Sequence, residues 1–348
     1  MQWLRDRIRR ALERRMTRDK WHYAVAFFNA LGAIRAPSKL LKSYIGLRQY
    51  QNELVRIAGG IPRSDDAPIP KLIHFVFGMR APEELPYYAY LAIKSAQAQH
   101  EGWTIVFHYH HEPTGPYWAK IKRDVVCVKV PKFAFYRFAR FHHYAHKADV
   151  VRMLALYNAG GLYLDLDTIC CRSFEPLRRN EFVMGVQATI PGATGGLCNA
   201  IMASAPRARF LKIWLRRYAS FRSRGRDALW DFHSVRLPVR LAARHPDLIT
   251  VLPFNAFFYP LWPDLERLLL AENSGKYGHH LEQSFAFHLW NNMTAHALSQ
   301  ITEDYVRTSQ SNYARIARSA LELVDESAPR LDRRGSSQRR QVPAAHAA

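Results

Sequence analysis

From Lys71 onward, short apolar runs alternate with stretches whose apolar positions recur at helical spacing. "KLIHFVF" (71–77) predicts a buried strand, residues 84–99 a helix, "WTIVFHY" (103–109) a second strand and "VVCVKV" (125–130) a third. Strands alternating with helices predict an α/β fold with a mostly parallel central sheet flanked by helices. In residues 142–161, Val150, Leu154 and Tyr157 mark one buried helix face, and Gly160 is placed to end that helix in a left-handed conformation. The run "LYLDLD" (162–167) follows directly, and as a strand it turns Leu162, Leu164 and Leu166 to one side and Tyr163, Asp165 and Asp167 to the other. Further on, "FVMGVQ" (182–187) predicts a strand, residues 205–222 a basic helix, and residues 226–244 a helix interrupted at Pro238. "LITVLP" (248–253) and "SFAFHLW" (284–290) predict late strands, and Thr302 to Val324 a terminal helix.

The ends are patterned differently. "GGIPRSDDAPIP" (59–70) predicts a linker, which divides the chain into an N-terminal helical segment (1–60) and a main domain (69–325). The tail, 328–348, has too few apolar residues to fold and is expected to be disordered. Residues 1–20 hold eight Arg/Lys against three Asp/Glu, with Trp3, Leu4, Ile8 and Leu12 at helical spacing, the pattern of a basic amphipathic helix. Trp21 to Ile34 carries no Asp, Glu, Lys or Arg but is shorter than the roughly 20 apolar residues that cross a bilayer. Two readings stay open: a solvated basic helix followed by a buried one, or a peripheral anchor on an anionic membrane. No cleavable signal peptide is expected.

Charge widens the choice of partners without deciding it. With 50 Lys+Arg against 29 Asp+Glu, a net charge of +21 attracts nucleic acid, anionic lipid or phosphate-bearing substrates. Cys127, Cys170, Cys171 and Cys198 form no CxxC pair and no zinc-like spacing, which predicts reduced thiols and a cytoplasmic location, extending to the inner face of the plasma membrane.

The chemistry concentrates at "AGGLYLDLDTI" (159–169). Asp near a strand end is often only a turn former. Here the pair closes a buried strand, where open α/β sheets hold ligands, and two carboxylates so close repel unless a cation sits between them. One chemistry is a divalent cation bridging the diphosphate of a nucleotide-sugar; oxygen ligands of this kind suit Mn²⁺ or Mg²⁺. The alternative is a haloacid-dehalogenase-type phosphatase using D-x-D-x-T, but the acidic cluster such an enzyme needs downstream is missing: Glu181, Asp227, Asp231, Asp247 and Asp264 are scattered singly. A nucleic-acid-binding protein, the rival from another class, does not account for a carboxylate pair, and no nucleic acid partner is expected.

"KADVVRMLALYNAGGLYLDLDTICCRSFEPL" (147–177) resembles the DXD signature of glycosyltransferase family 32, approximately S-D-x-x-R-x-x-x-L-x-x-x-G-G-x-Y-x-D-x-D. Asp149, Arg152, Gly160, Gly161, Tyr163, Asp165 and Asp167 fall on it, with Ala148 where the pattern has Ser. "IPKLIHFVFG" (69–78), "GGLCNAIMASAPRARF" (195–210) and "FAFHLWNN" (285–292) are similar to the family's opening strand, its asparagine-containing turn before a helix, and the H-x-W-N segment of α1,4-galactosyl- and α1,4-N-acetylglucosaminyltransferases. The resemblance implies a GT-A fold, a divalent metal and a nucleotide-sugar donor, taken as UDP-linked. It further implies transfer of a hexose or N-acetylhexosamine, with retention, to a saccharide or lipid-linked acceptor in bacterial surface polysaccharide or glycolipid synthesis.

Against that background Asp167 is expected to ligate the metal and Asp165 to contact the ribose or a metal-bound water. Asp149 and Arg152, one helical turn apart, are expected to reach one donor, the guanidinium toward phosphate or sugar oxygens and the carboxylate toward sugar hydroxyls; the bland alternative is an exposed i,i+3 ion pair. Tyr163 joins the donor-binding set. His288 either completes the metal's coordination or is structural. Phe77 matches an aromatic that stacks on the base in related toxin-type transferases, with core packing as the rival, and Trp290 lines the acceptor site or packs. No nucleophile stands out, so the departing phosphate is expected to take the acceptor's proton. Asn199 and Asp231 are candidates for contacts near the reacting carbon.

Overall fold

The computed structural model describes residues 18–62, 65–187 and 195–327. The basic pattern of residues 1–17 and the expected disorder of the tail, 328–348, lie outside the described residues. In chain order the elements are α1 (Arg18–Ala33), α2 (Pro37–Gly59), β1 (Leu72–Phe77), α3 (Tyr87–Gln99), β2 (Thr104–Tyr109), α4 (Pro116–Ile121), β3 (Val126–Lys129), β4 (Phe135–Tyr136), β5 (Ala139–Arg140) and α5 (Tyr144–Ala159). There follow β6 (Gly161–Leu164), β7 (Thr168–Cys170), β8 (Phe182–Gln187), β9 (Gly196–Ser204), α6 (Arg209–Arg217), α7 (Leu237–Arg244), β10 (Thr250–Leu252), β11 (Ala286–His288), α8 (Asn291–Ser299), α9 (Glu303–Thr308) and α10 (Asn312–Ser327).

Seven strands form one sheet in the order β10-β8-β9-β6-β1-β2-β3. β1 pairs in parallel with β2 and β6, β2 with β3, and β10 with β8; β9 alone runs antiparallel to both its neighbours. This is the expected α/β class, mostly parallel and flanked by helices. Alternation along β1 sends Ile73 and Phe75 into a core shared with α3, and Leu72 into a second core shared with α2, α5 and α6. Burial on both faces explains why β1, β6 and β8 read as nearly continuous apolar runs.

Several elements differ from expectation, each for a local reason. Residues 196–204, expected as a turn, form a nine-residue strand that is buried throughout, because it lies between β6 and β8 in mid-sheet and so shows no period of two. Pro238 sits in the first turn of α7, directly after a wide helical turn over Phe232–Arg236, and the backbone stays helical across it rather than being interrupted there. The terminal helix is broken between Thr308 and Asn312, where the Tyr305 hydroxyl lies 2.7 Å from Ser311 Oγ and donates to the Leu270 carbonyl at 2.6 Å. Within the N-terminal segment, Leu47, Tyr50, Leu54 and Ile57 of α2 pack into the same core as α5. The expected linker is tied down by Asp65, which takes two hydrogen bonds from Arg178 at 2.6 and 2.8 Å. And α1, for which a buried helix and a peripheral membrane anchor both stayed open, leaves large apolar side chains in solvent, Tyr23 at 72% and Phe27 at 61%.

Candidate active site

The site grows from the helix, glycine pair and turn that join α5 to β7. His143 caps α5 by accepting from the Ala145 N–H at 3.2 Å, and the helix carries Asp149 and Arg152 inward, both buried. Gly160 and Gly161 then take φ of +73° and +101°. A Cβ on Gly161 would meet the Leu72 carbonyl oxygen at 2.5 Å, so only glycine lets β6 enter beside β1 here.

β6 ends at Leu164, so Asp165 and Asp167 do not alternate along a strand as expected but occupy a turn between β6 and β7. The Asp165 N–H donates to the Ala200 carbonyl on β9 at 2.9 Å, and Thr168 Oγ1 to the Asp165 carbonyl at 2.7 Å, fixing that turn. Antiparallel pairing of β11 with β7 sets His288 opposite Thr168. Ligand atoms of Asp165, Asp167 and His288 then lie within 4.8 Å of one another. The two aspartate side chains keep 23% and 15% of their surface exposed, so the turn is open to a ligand.

Each carboxylate has its own partner, which corrects the expectation that only a cation makes the pair tolerable. Arg152 binds Asp165 through Nη1 to Oδ2 at 3.1 Å and Nη2 to Oδ1 at 3.0 Å, and the Tyr163 hydroxyl donates to Asp165 Oδ1 at 2.5 Å. The guanidinium also lies 4.5 Å from the centre of the Tyr163 ring. Asp167 Oδ2 accepts from the Asn291 N–H at 2.8 Å and faces His288 Nε2 at 3.5 Å. Burial lifts Asp165 above the usual carboxylate range, with Arg152 opposing and Asp167 adding to the lift. For Asp167 burial is outweighed by His288 and by the Asn291 N–H, which hold it below that range.

Asn199, on the unforeseen strand β9, joins the two halves of the site. Its Nδ2 donates to Asp149 Oδ1 at 2.8 Å, while its carbonyl accepts from Arg152 Nη1 at 3.0 Å. Asp149 also meets His146 Nδ1 at 3.5 Å and Arg152 Nε at 3.8 Å. Burial raises the Asp149 carboxyl, but these partners together hold it below its ordinary value. Asp149 and Arg152 are therefore buried and engaged, not an exposed pair, and the guanidinium spends its hydrogen bonds on Asp165 and Asn199.

Phe77 sits half-buried at the carboxyl end of β1, 6.5 Å from the Phe107 ring, and packs against the core. Asp231 is not brought to the cluster: it is half-exposed and pairs with Arg236 at 2.8 Å, because it opens a wide helical turn over Phe232–Arg236 on the surface. Trp290 is buried, donates from Nε1 to the Pro260 carbonyl at 3.1 Å and lies 4.6 Å from the His288 ring. Its φ of +58° is uncommon for a bulky residue and turns the following Asn291 N–H onto Asp167.

Three contributors lie outside the sequence reading: the Asn291 N–H, His146 behind Asp149, and Tyr88. The Tyr88 hydroxyl is pushed up to about 12 by burial and by the nearby Asp167 carboxylate. His146 is one turn before Asp149 on α5, a spacing that could have flagged it; a main-chain donor carries no residue signal.

Two carboxylates and an imidazole form a donor set suited to a divalent ion such as Mn²⁺, and the buried His288 Nδ1 makes no hydrogen bond.

A family described as "Glycosyltransferase sugar-binding region containing DXD motif" matches residues 86–183, a span that includes α5 and both aspartates. Glucan organizing enzyme 1 of Cryptococcus neoformans var. grubii is 32% identical over 287 residues, 79% of this chain and 76% of that protein. Inositol phosphoceramide mannosyltransferase 3 of Schizosaccharomyces pombe is 29% identical over 167 residues, 47% of this chain and 42% of that protein. Among solved structures, PaToxG Glycosyltransferase overlays with a TM-score of 0.39 at 16% identity, covering 81% of this chain and 97% of its own. The apo form of GlyE from Streptococcus pneumoniae TIGR4 overlays with a TM-score of 0.41 at 12% identity, covering 73% and 62%. The chain belongs to the glycosyltransferases with a DXD-containing sugar-binding region, those of the family 32 type.

Proposed function

We propose that this transferase moves a hexose or N-acetylhexosamine from a nucleotide-sugar, taken as UDP-linked, to a saccharide or lipid-linked acceptor, with retention. The observation that carries the reading is the convergence of Asp165, Asp167 and His288 at an open turn beside the buried Asp149, Arg152 and Asn199. When bound there, Mn²⁺ or Mg²⁺ supplies the charge that stabilises the leaving diphosphate. Asp167, held low and oriented by the Asn291 N–H, is the primary ligand, with His288 beside it. Asp165, held from both sides by Arg152 and Tyr163, is set to meet the ribose or a metal-bound water. Asp149 and Asn199 keep the guanidinium in register, and Phe77 offers a ring for the base.

Two further observations bear on the finer reading. A relative whose name assigns it mannosyl transfer to inositol phosphoceramide supports a hexose and a lipid acceptor. A net charge of +21 supports peripheral contact with an anionic membrane; we extend this reading to the cytoplasmic face and to bacterial surface polysaccharide or glycolipid synthesis. No helix among the described residues is long and apolar enough to cross a membrane. The phosphatase reading fares worse: a nucleophilic Asp165 would have to attack while held by both Arg152 nitrogens.

A thermal-shift series of nucleoside diphosphates and nucleotide-sugars, with and without Mn²⁺, tests this. The expected result is a rise in Tm for a UDP-sugar that requires the metal, followed by metal-dependent transfer. Stabilisation by no nucleotide under either condition refutes it.

A further inference from the structure

α1 and α2 follow one another across a short turn at residues 34–36, and each carries an exposed apolar row besides its buried one, where a surface helix ordinarily has one apolar face. The inner face is already satisfied: Val25 and Ala33 of α1 and Leu47, Tyr50 and Leu54 of α2 are buried. On α1, Tyr23, Phe27 and Leu31 recur every fourth residue in exposed positions, and Ile34 follows at the turn; on α2, Leu41 and Tyr44 lie one helical turn apart. All six are exposed, Ile34 at 66% and Tyr44 at 67%. Side chains this apolar, grouped in solvent, mark a surface that meets something.

What it meets follows from charge. Arg35 in the turn and Lys39, Lys42 and Arg48 of α2 are exposed, and no Asp or Glu occurs from Lys20 to Asn52. A second copy of this chain, docking by two-fold symmetry, would set these cations against themselves. Residues 1–17, the neighbouring stretch, hold six arginines against two acids and would be repelled as well. An anionic lipid surface matches both features, because apolar rings enter the headgroup boundary while Lys and Arg reach lipid phosphates from its edge. Each helix is tied to the body of the fold: Asn29 Nδ2 of α1 donates to the carbonyls of Ala219 and Phe221 at 2.8 and 3.1 Å, and Tyr50 of α2 is hydrogen-bonded to His108 of β2 at 3.0 Å.

We propose that the exposed apolar rows of α1 and α2 are the surface by which this transferase docks onto an anionic bilayer, with their apolar side chains inserted and the four cations on the headgroups. The assignment rests on the reading of peripheral membrane contact given above and names its residues. It is independent of the transfer chemistry.

The test is sedimentation of the full-length protein with vesicles of phosphatidylcholine, alone or mixed with phosphatidylglycerol, beside Phe27→Asp/Ile34→Asp and Lys39→Glu/Lys42→Glu variants. The wild type is expected to bind only the anionic vesicles and to be released by salt. Each double variant, monitored by circular dichroism and by Mn²⁺-dependent donor binding in solution, is expected to lose at least about tenfold in vesicle affinity with both readouts kept. A wild type that ignores anionic vesicles removes membrane contact itself. Wild-type binding that both variants retain overturns the surface assignment, and a dimer by light scattering that Phe27→Asp/Ile34→Asp dissolves gives the face to a second copy instead.

Discussion

Arg152 grips Asp165 with both terminal nitrogens, at 3.1 and 3.0 Å, in a pocket where the arginine side chain is only 9% exposed. The first aspartate of the DXD pair is thus paired by the protein itself, whereas Asp167 has a main-chain N–H and His288 for partners. Breaking a buried pair strands the remaining charge, which costs roughly 3–5 kcal/mol. Arg152→Ala is expected to lower the unfolding free energy by that amount, read as a lower urea midpoint, and to abolish transfer. Arg152→Lys, which keeps the charge but loses the fork, is expected to recover most of the stability and little of the activity. An Arg152→Ala protein with an unchanged midpoint would contradict the geometry.

Asp167 answers to a different test, because its structural partner is a main-chain N–H that an amide oxygen can also satisfy. Asp167→Asn is expected to change stability by less than about 1 kcal/mol, since the 2.8 Å bond from Asn291 survives. Transfer should fall by about two orders of magnitude or more, and the rise in Tm on adding Mn²⁺ should vanish. Full Mn²⁺ stabilisation in that variant would move the metal elsewhere.

What was legible in the sequence is what local geometry decides. Asp149, Arg152, Asp165 and Asp167 fall within one helix and the turn after it, so their convergence follows from a helical period, two glycines and a strand. His288 comes from far downstream and reaches the cluster only through the β11–β7 pairing, so only the family resemblance pointed to it. Strand β9 was hidden because burial on both faces removes alternation, and with it Asn199 lost its true setting as the link between Asp149 and Arg152. For α1 the sequence left a buried helix and a membrane anchor both open, because an apolar helix carries no sign of which of its faces the fold covers.

Gly161 offers a test of the backbone that carries the pair. A methyl group there would sit 2.5 Å from the Leu72 carbonyl oxygen and 2.7 Å from Leu72 Cβ, at a φ of +101° that L side chains avoid. Gly161→Ala is expected to cost about 2–4 kcal/mol and to lower the cation response with it, because β6 would have to move away from β1. Gly102 has φ of +74° and nothing within 4 Å of its would-be Cβ, so Gly102→Ala, measured in the same urea series, is expected to cost only about 1 kcal/mol.

The last prediction concerns acid. His100 donates from Nδ1 to the Ala96 carbonyl at 2.8 Å and accepts at Nε2 from the Phe174 N–H at 3.0 Å, so it is held as one neutral tautomer. His74 donates from Nε2 to the Gly160 carbonyl at 2.8 Å and takes a bond at Nδ1 from His108, which in turn accepts from Tyr50. Burial pushes His100 and His74 each down to about 4. A histidine whose folded pKa is depressed binds its proton more readily in the unfolded chain. Its contribution is therefore fully present above pH of about 6.5 and is lost as pH falls toward 4, on the order of 3 kcal/mol each. Urea midpoints are expected to be flat above pH of about 7 and to fall steeply between 6.5 and 4. His100→Gln, whose amide can both donate to Ala96 and accept from Phe174, should flatten part of that slope; an unchanged slope would show that His100 is already charged in the folded protein.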